Sequence, residues 1–137
     1  MIGQTKEIAP VDKKMYALRD VTATIESIPL ICSSIMLKKI AEGAKNIFLD
    51  VKTGDAAFIQ KYEKSKILAQ QIVNIGKIFK RNMIAVITDM NEPLGNVVGN
   101  SLEIIQTIDS LKNKNNNDFV KLSIDLSAMI ILQVGLV

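Results

Sequence analysis

Two short apolar runs, NIFLDVK at residues 46–52 and NMIAVIT at 82–88, flank a long amphipathic segment. Each run has the length of a strand and little polar alternation, the pattern of a strand covered on both faces. Between them, Tyr62 to Phe79 sets Ile67, Leu68, Gln71, Ile72, Ile75 and Phe79 on one side at helical spacing, with lysines opposite. A strand, a long helix and a second strand specify a βαβ unit. Parallel neighbours need such a crossover, whereas antiparallel strands can turn back in about two residues.

The flanking segments read as helices. Residues 12–19 form a short one with Asp12 as its cap. A longer one follows Ser27, with Pro29 in its first turn, Ile28, Ile31, Ile35 and Ile40 as its core stripe, and Gly43 as its stop. After Asn91-Glu92-Pro93 a third carries Val98, Leu102, Ile105 and Ile108 on its apolar face. A polar loop, KNKNNND, precedes a last helix that is still apolar, with no stop signal, when the chain ends at Val137. Two strands are few for a stable parallel sheet. The expected fold is therefore α/β: a βαβ-type parallel sheet portion flanked by helices, belonging to a larger domain.

Composition narrows the chemistry. At 137 residues and 48% hydrophobic, the chain suits one globular domain rather than a disordered one. It has one Cys and no His, which excludes a Cys/His zinc site, a Ser-His-Asp triad and a Cys-His dyad. A lone Cys fits a reducing compartment. The 17 basic residues are scattered and nearly balanced by 14 acidic ones, so nucleic acid is not an expected partner. MIGQTKEIAP is too polar for a signal peptide, and AMIILQVGLV is shorter than the roughly 20 apolar residues a bilayer requires. The expected location is the cytoplasm, away from membranes.

In a parallel sheet, ligands bind beyond the carboxyl ends of the strands. Here those ends lead into the loops 50–58 and 89–99. The first, DVKTGDAAF, has small residues that let backbone approach a ligand, but it lacks the Gly-Lys-Ser/Thr ending of a phosphate loop. The second, TDMNEPLGNVVGN, offers carbonyls around residues 94–97 that suit a hard cation or a simple turn. Asp50 and Asp89 at the strand tips could pair as acids or cap the next helices. Arg19, in RDVTAT, offers a planar fork of donors, or serves only as a surface partner for a neighbouring acid. Ser34 and Lys38, four apart, share a helix face that could grip one small ligand or simply meet water.

Read together, YALRDVTAT, IPLICSSIMLKK, LDVKTG and TDMNEPLGNVVGN, with GQT near the start, resemble the pyrimidine-nucleoside and thymidine phosphorylases in order and spacing. The resemblance runs from Gly3 into the last helix. It implies phosphorolysis of thymidine, uridine or deoxyuridine to free base and pentose 1-phosphate, in the large α/β domain of such an enzyme, with inorganic phosphate as co-substrate. It implies that Arg19, Ser34 and Lys38 hydrogen-bond the base, and that Tyr16, Ile31 and Phe58 line its pocket. It further implies a potassium ion held by the backbone of Leu94 and Val97, with Gln106 where the family has a carboxylate. Ala56 replaces a usual glycine, and Leu37 a usual small residue.

Family members are about three times longer, with a helical N-terminal domain, a Gly-rich phosphate stretch and further C-terminal structure. Residues 1–137 are accordingly expected to be an incomplete α/β pyrimidine-binding domain with no catalytic residue of its own. It would be inactive alone, and its partners would be the base or nucleoside and the missing parts of the same enzyme, a homodimer when complete. A degenerate remnant acting as a binding or interaction module is the alternative. A phosphoribosyltransferase is a weaker third reading.

Overall fold

The computed structural model describes residues 10–136; the GQT motif and Val137 lie outside them. In chain order the elements are α1 (Pro10–Val21), α2 (Ile28–Ala41), β1 (Asn46–Thr53), α3 (Tyr62–Ile78), β2 (Asn82–Asp89), α4 (Asn100–Leu111) and α5 (Asp118–Val134). β1 and β2 pair in parallel, in a register running from Asn46 opposite Asn82 to Thr53 opposite Asp89. This is the expected βαβ unit, with α3 as the crossover.

The core lies between α2, α3 and one face of the sheet. Cys32 and Met36 of α2, Val51 of β1, and Leu68, Ala69 and Ile72 of α3 form its buried centre, with Leu49, Met83, Ala85 and Ile87 packed around it. Alternation along the strands explains the choice, since residues two apart share a face. In the last turn of α3, Met83 of β2 presses on Gly76: a Cβ there would lie 2.5 Å from the sulfur.

The helix faces differ in detail from the sequence reading. On α2, the innermost residues are Cys32 and Met36, while Ile28, Ile31, Ile35 and Ile40 surround the core. Ten of the fourteen positions of this helix are apolar and they lie on all sides of it, so periodicity could not choose the face. On α3, Ile67 and Phe79 are exposed, and Leu68, Ala69, Ile72 and Gly76 are buried. Val98, Leu102, Ile105 and Ile108, the expected apolar face of the α4 region, all remain exposed. The end of α5 also has a stop that the sequence reading missed. Gly135 takes a left-handed conformation (φ 71°), and the Gly135 and Leu136 amides donate to Leu132 and Ile131. That pairing closes the last turn as a Schellman motif.

Each end of the sheet is tied. At the amino end, Gln133 of α5 donates to the carbonyls of Ile47 (3.2 Å) and Asn82 (3.0 Å). At the carboxyl end, the two loops lock together: the Asp55 amide donates to Asn91 Oδ1 (2.9 Å), and the Ala56 amide to the Met90 carbonyl (3.1 Å). Gly54 makes this possible, with φ at 120° and a Cβ position only 2.6 Å from Asn91 Oδ1. Gly54→Ala should therefore cost about 1–3 kcal/mol through strain and displacement of Asn91. Thermal unfolding followed by circular dichroism checks this; an unchanged midpoint would mean the lock is dispensable. No helix among the described residues is long and apolar enough to cross a membrane.

Candidate substrate-binding site

Helices α1 and α2 bring Tyr16, Arg19, Ser34 and Lys38 together. Arg19, in the last turn of α1, is only 6% exposed. Its guanidinium donates to the carbonyl of Ile25 in the connection, and more loosely to that of Leu30 in α2 (3.5 Å). The Tyr16 ring lies under the guanidinium, 5.3 Å from centroid to Cζ. Nε of Arg19 is buried with no hydrogen-bond partner. Arg19 is thus an internal clamp between the two helices as well as a fixed cation, not the surface partner of a nearby acid.

Asp12 is the residue that sequence reasoning misplaced. α1 begins at Pro10, so Asp12 lies inside the first turn rather than at the cap. It is 5% exposed, and its carboxylate pairs with Lys38 Nζ at 3.0 Å. Burial alone would push this carboxyl up. The Ser34 hydroxyl, the Lys38 ammonium and the Arg19 charge outweigh that and hold it below its ordinary value. A signal was present in the sequence: Asp12 and Arg19 are seven apart, two turns along one helix face.

The shift carries a pH dependence. A carboxyl depressed in the folded state contributes stability that is fully present above its unfolded value of about 3.9. The contribution is lost as pH falls through the lower folded value. Wild type and Asp12→Asn should therefore differ in stability by a constant amount above roughly pH 5, and converge in stronger acid. Urea titrations across that range measure it. A difference that grows as pH falls would contradict the assignment.

Ile31 and Phe58 belong to a neighbouring space. With Ile35, Leu49, Ile59 and Leu68 they line a cavity of about 220 Å³ at the carboxyl end of β1. Phe58 is 64% exposed at its mouth. Neither Arg19, Ser34 nor Lys38 lines this cavity, but Ile31, Ser34 and Lys38 follow one another along α2 at helical spacing. One stripe of α2 therefore connects an apolar hollow to a cationic cluster, the mixture of surfaces that a flat, partly polar ring needs.

The strand-tip acids do not pair. Asp50 lies opposite Val86 and Asp89 opposite Thr53, three rungs apart. Asp50 accepts from Lys52 (2.7 Å) and Thr88, while Asp89 accepts from the Asn91 side chain (2.6 Å). Leu94 and Gln106 each hold an internal hydrogen bond where the loop after β2 packs against α4. The Leu94 carbonyl already accepts from the Phe119 amide (3.2 Å), and Gln106 Oε1 from the Asn96 amide (3.1 Å). Gln106 holds this loop directly.

Comparison with known proteins agrees with the architecture. The pyrimidine-nucleoside phosphorylases of Staphylococcus aureus strains USA300 and NCTC 8325 / PS 47 are each 49% identical over 132 residues, covering 96% of this chain and 30% of theirs. The phosphorylase of the bovine strain RF122 / ET3-1 matches to the same extent. The chain thus spans about 30% of the length of these curated relatives. Its residues 1–135 match the description "Glycosyl transferase family, a/b domain", and the chain belongs to that family.

Proposed function

We propose that this chain is the base-recognition portion of a pyrimidine-nucleoside phosphorylase. In this reading it contributes to cleavage of thymidine, uridine or deoxyuridine by inorganic phosphate, giving free base and pentose 1-phosphate. The observation that carries the reading is the cluster of Arg19, Ser34 and Lys38, assembled by α1 and α2 beside the apolar hollow of Ile31 and Phe58. The relatives' names supply the reaction class.

The chemistry suits the cluster. A pyrimidine leaving an anomeric carbon takes the bonding electrons and becomes negative over N1 and O2. Fixed cations and donors stabilise that charge more in the transition state than in the ground state, and so accelerate cleavage. Lys38 supplies a cation already oriented by Asp12, and Arg19 a second that cannot rotate away. Tyr16 covers the guanidinium from outside. Phosphate must be held in line with the anomeric carbon for attack, and the described residues contain no glycine-rich phosphate loop. The isolated chain therefore binds base and does not turn over nucleoside. A cytoplasmic setting suits its one cysteine, Cys32, which is buried and free.

Isothermal titration of the purified chain with thymine, uracil and thymidine tests the reading. Ser34→Ala is a better control than Arg19→Ala, because the Arg19 clamp also holds the fold. Binding weakened by Ser34→Ala supports base recognition. A folded chain that binds none of the three would refute it.

A further inference from the structure

The charges of this chain are nearly balanced in number but uneven in place. α2 and α3 each turn directly into the strand that follows, so their last residues lie at the amino end of the sheet. α1 runs opposite to α2: its start meets the end of α2 through Asp12 and Lys38, and its end meets the start of α2 through Arg19 and Leu30. The amino end therefore gathers Lys13 and Lys14 from α1, Lys45 before β1, and Lys77, Lys80 and Arg81 at the close of α3. The Asn82 amide donates to the Lys45 carbonyl (2.9 Å), which ties two of these groups together. The carboxyl end gathers Asp20, Glu26, Asp55, Glu63, Asp89 and Glu92.

All six acids are exposed, as are the six cations except half-buried Arg81. None of them belongs to an ion pair among the described residues. Other charges at the amino end cancel, Lys38 with Asp12 and Lys39 with Glu42. At the carboxyl end Lys52 pairs with Asp50, and Lys61, Lys64 and the buried Arg19 oppose the acids. Helix dipoles explain part of this pattern, since Lys77 ends α3 and Glu63 begins it. α1 contradicts them: Lys13 and Lys14 sit near its positive terminus and Asp20 near its negative one. The free charges follow the ends of the molecule rather than the ends of its helices. Each charged end also exposes large apolar groups, Ile78 and Phe79 among the cations and Phe58 and Tyr62 among the acids.

We propose that the basic end of one copy docks on the acidic end of a second copy, head to tail along the strand direction. Complementary charged faces steer the encounter and select one orientation, while the aromatic groups supply contact area. The two faces are different surfaces of one chain, so the contact is heterologous, and each docked copy leaves one face free for the next. Like ends repel, which disfavours amino-to-amino and carboxyl-to-carboxyl pairing. The assembly does not depend on what the α1–α2 cluster binds.

Sedimentation velocity of the purified chain over a range of concentrations tests this. The comparison is between about 10 mM salt, where charges act over about 30 Å, and about 1 M, where they act over about 3 Å. At low salt the average mass should rise with concentration past that of a pair, and at high salt it should fall back to that of a single copy. Two triple variants separate the ends. Lys45→Gln, Lys77→Gln and Lys80→Gln remove charge from the basic face, and Glu26→Gln, Glu63→Gln and Glu92→Gln from the acidic face. All six positions are exposed, so both variants should fold, as circular dichroism checks. Self-association of each alone should be about tenfold weaker than that of wild type at low salt. Mixed in equal amounts they should form pairs that grow no further, because one intact basic face meets one intact acidic face. Should a triple variant not fold, Lys80→Gln and Glu92→Gln singly carry the same test, with effects of about two- to threefold.

Wild type that stays single at low salt overturns the proposal. Association that high salt leaves unchanged also overturns it, and assigns the contact to the exposed apolar residues of α4 and α5. So does a mixture of variants that associates no better than either one alone.

Discussion

Ile72→Ala is expected to lower the thermal midpoint by on the order of 10 °C, or to leave the chain largely unfolded at room temperature. Ile72 is 1% exposed and lies with Leu68 and Ala69 of α3 against Cys32 and Met36 of α2 and Val51 of β1. Removing its outer carbons loses their transfer free energy and leaves a cavity that three packed elements cannot close, at a cost of about 2–5 kcal/mol. Against a total stability of about 5–15 kcal/mol, a loss of that size is a large share. It matters more here because the core is small: only eight hydrophobic residues among those described are buried. Circular dichroism melts of wild type, Ile72→Val and Ile72→Ala should show a graded loss. A midpoint within about 2 °C of wild type for Ile72→Ala would mean that the core centres elsewhere.

Arg19→Ala should affect stability and binding together, and Arg19→Lys should rescue neither fully. The guanidinium reaches the carbonyls of Ile25 and Leu30 at once and rests on Tyr16. An ammonium is a point charge on a flexible stem and cannot reproduce that fork. Truncation removes the donor to two part-buried carbonyls and takes a favourable charge from near Asp12, for an expected loss of about 2–3 kcal/mol. Urea unfolding measures the stability loss, and titration with uracil at a temperature where the variant remains folded measures binding. A variant as stable as wild type that fails to bind would show Arg19 to be a ligand and not a clamp. A less stable variant with intact affinity would show the opposite.

These residues also mark how far the sequence could be read. The two apolar runs fell on β1 and β2 to within a residue, and the long amphipathic segment between them fell on α3. Both are local patterns, set by alternation over a few positions and by 3.6-residue periodicity, and the crossover length then requires parallel strands. Ser34 and Lys38 were legible for the same reason, since a spacing of four on a helix is a statement about one element. Even the missed stop at Gly135 was local, a glycine just past a periodic run.

What linear spacing could not supply were relations between elements. The register that separates Asp50 from Asp89 by three rungs depends on how two strands slide. The fit of Gly54 against Asn91 depends on two loops far apart in the chain. On α2, whose apolar residues lie on all sides, only packing against α3 could select Cys32 and Met36 as the inner face.

Asp12 shows the division most clearly. In the chain it is an acidic residue near a helix start, a favourable place beside the positive end of the helix dipole. In the fold it is the buried counter-ion of Lys38, twenty-six residues away. Local periodicity decided which helices and strands exist, because propensity and amphipathicity act over a few residues. Docking of α1 on α2 decided that Asp12, Arg19, Ser34 and Lys38 form one cluster, because a buried charge persists only where a distant partner meets it.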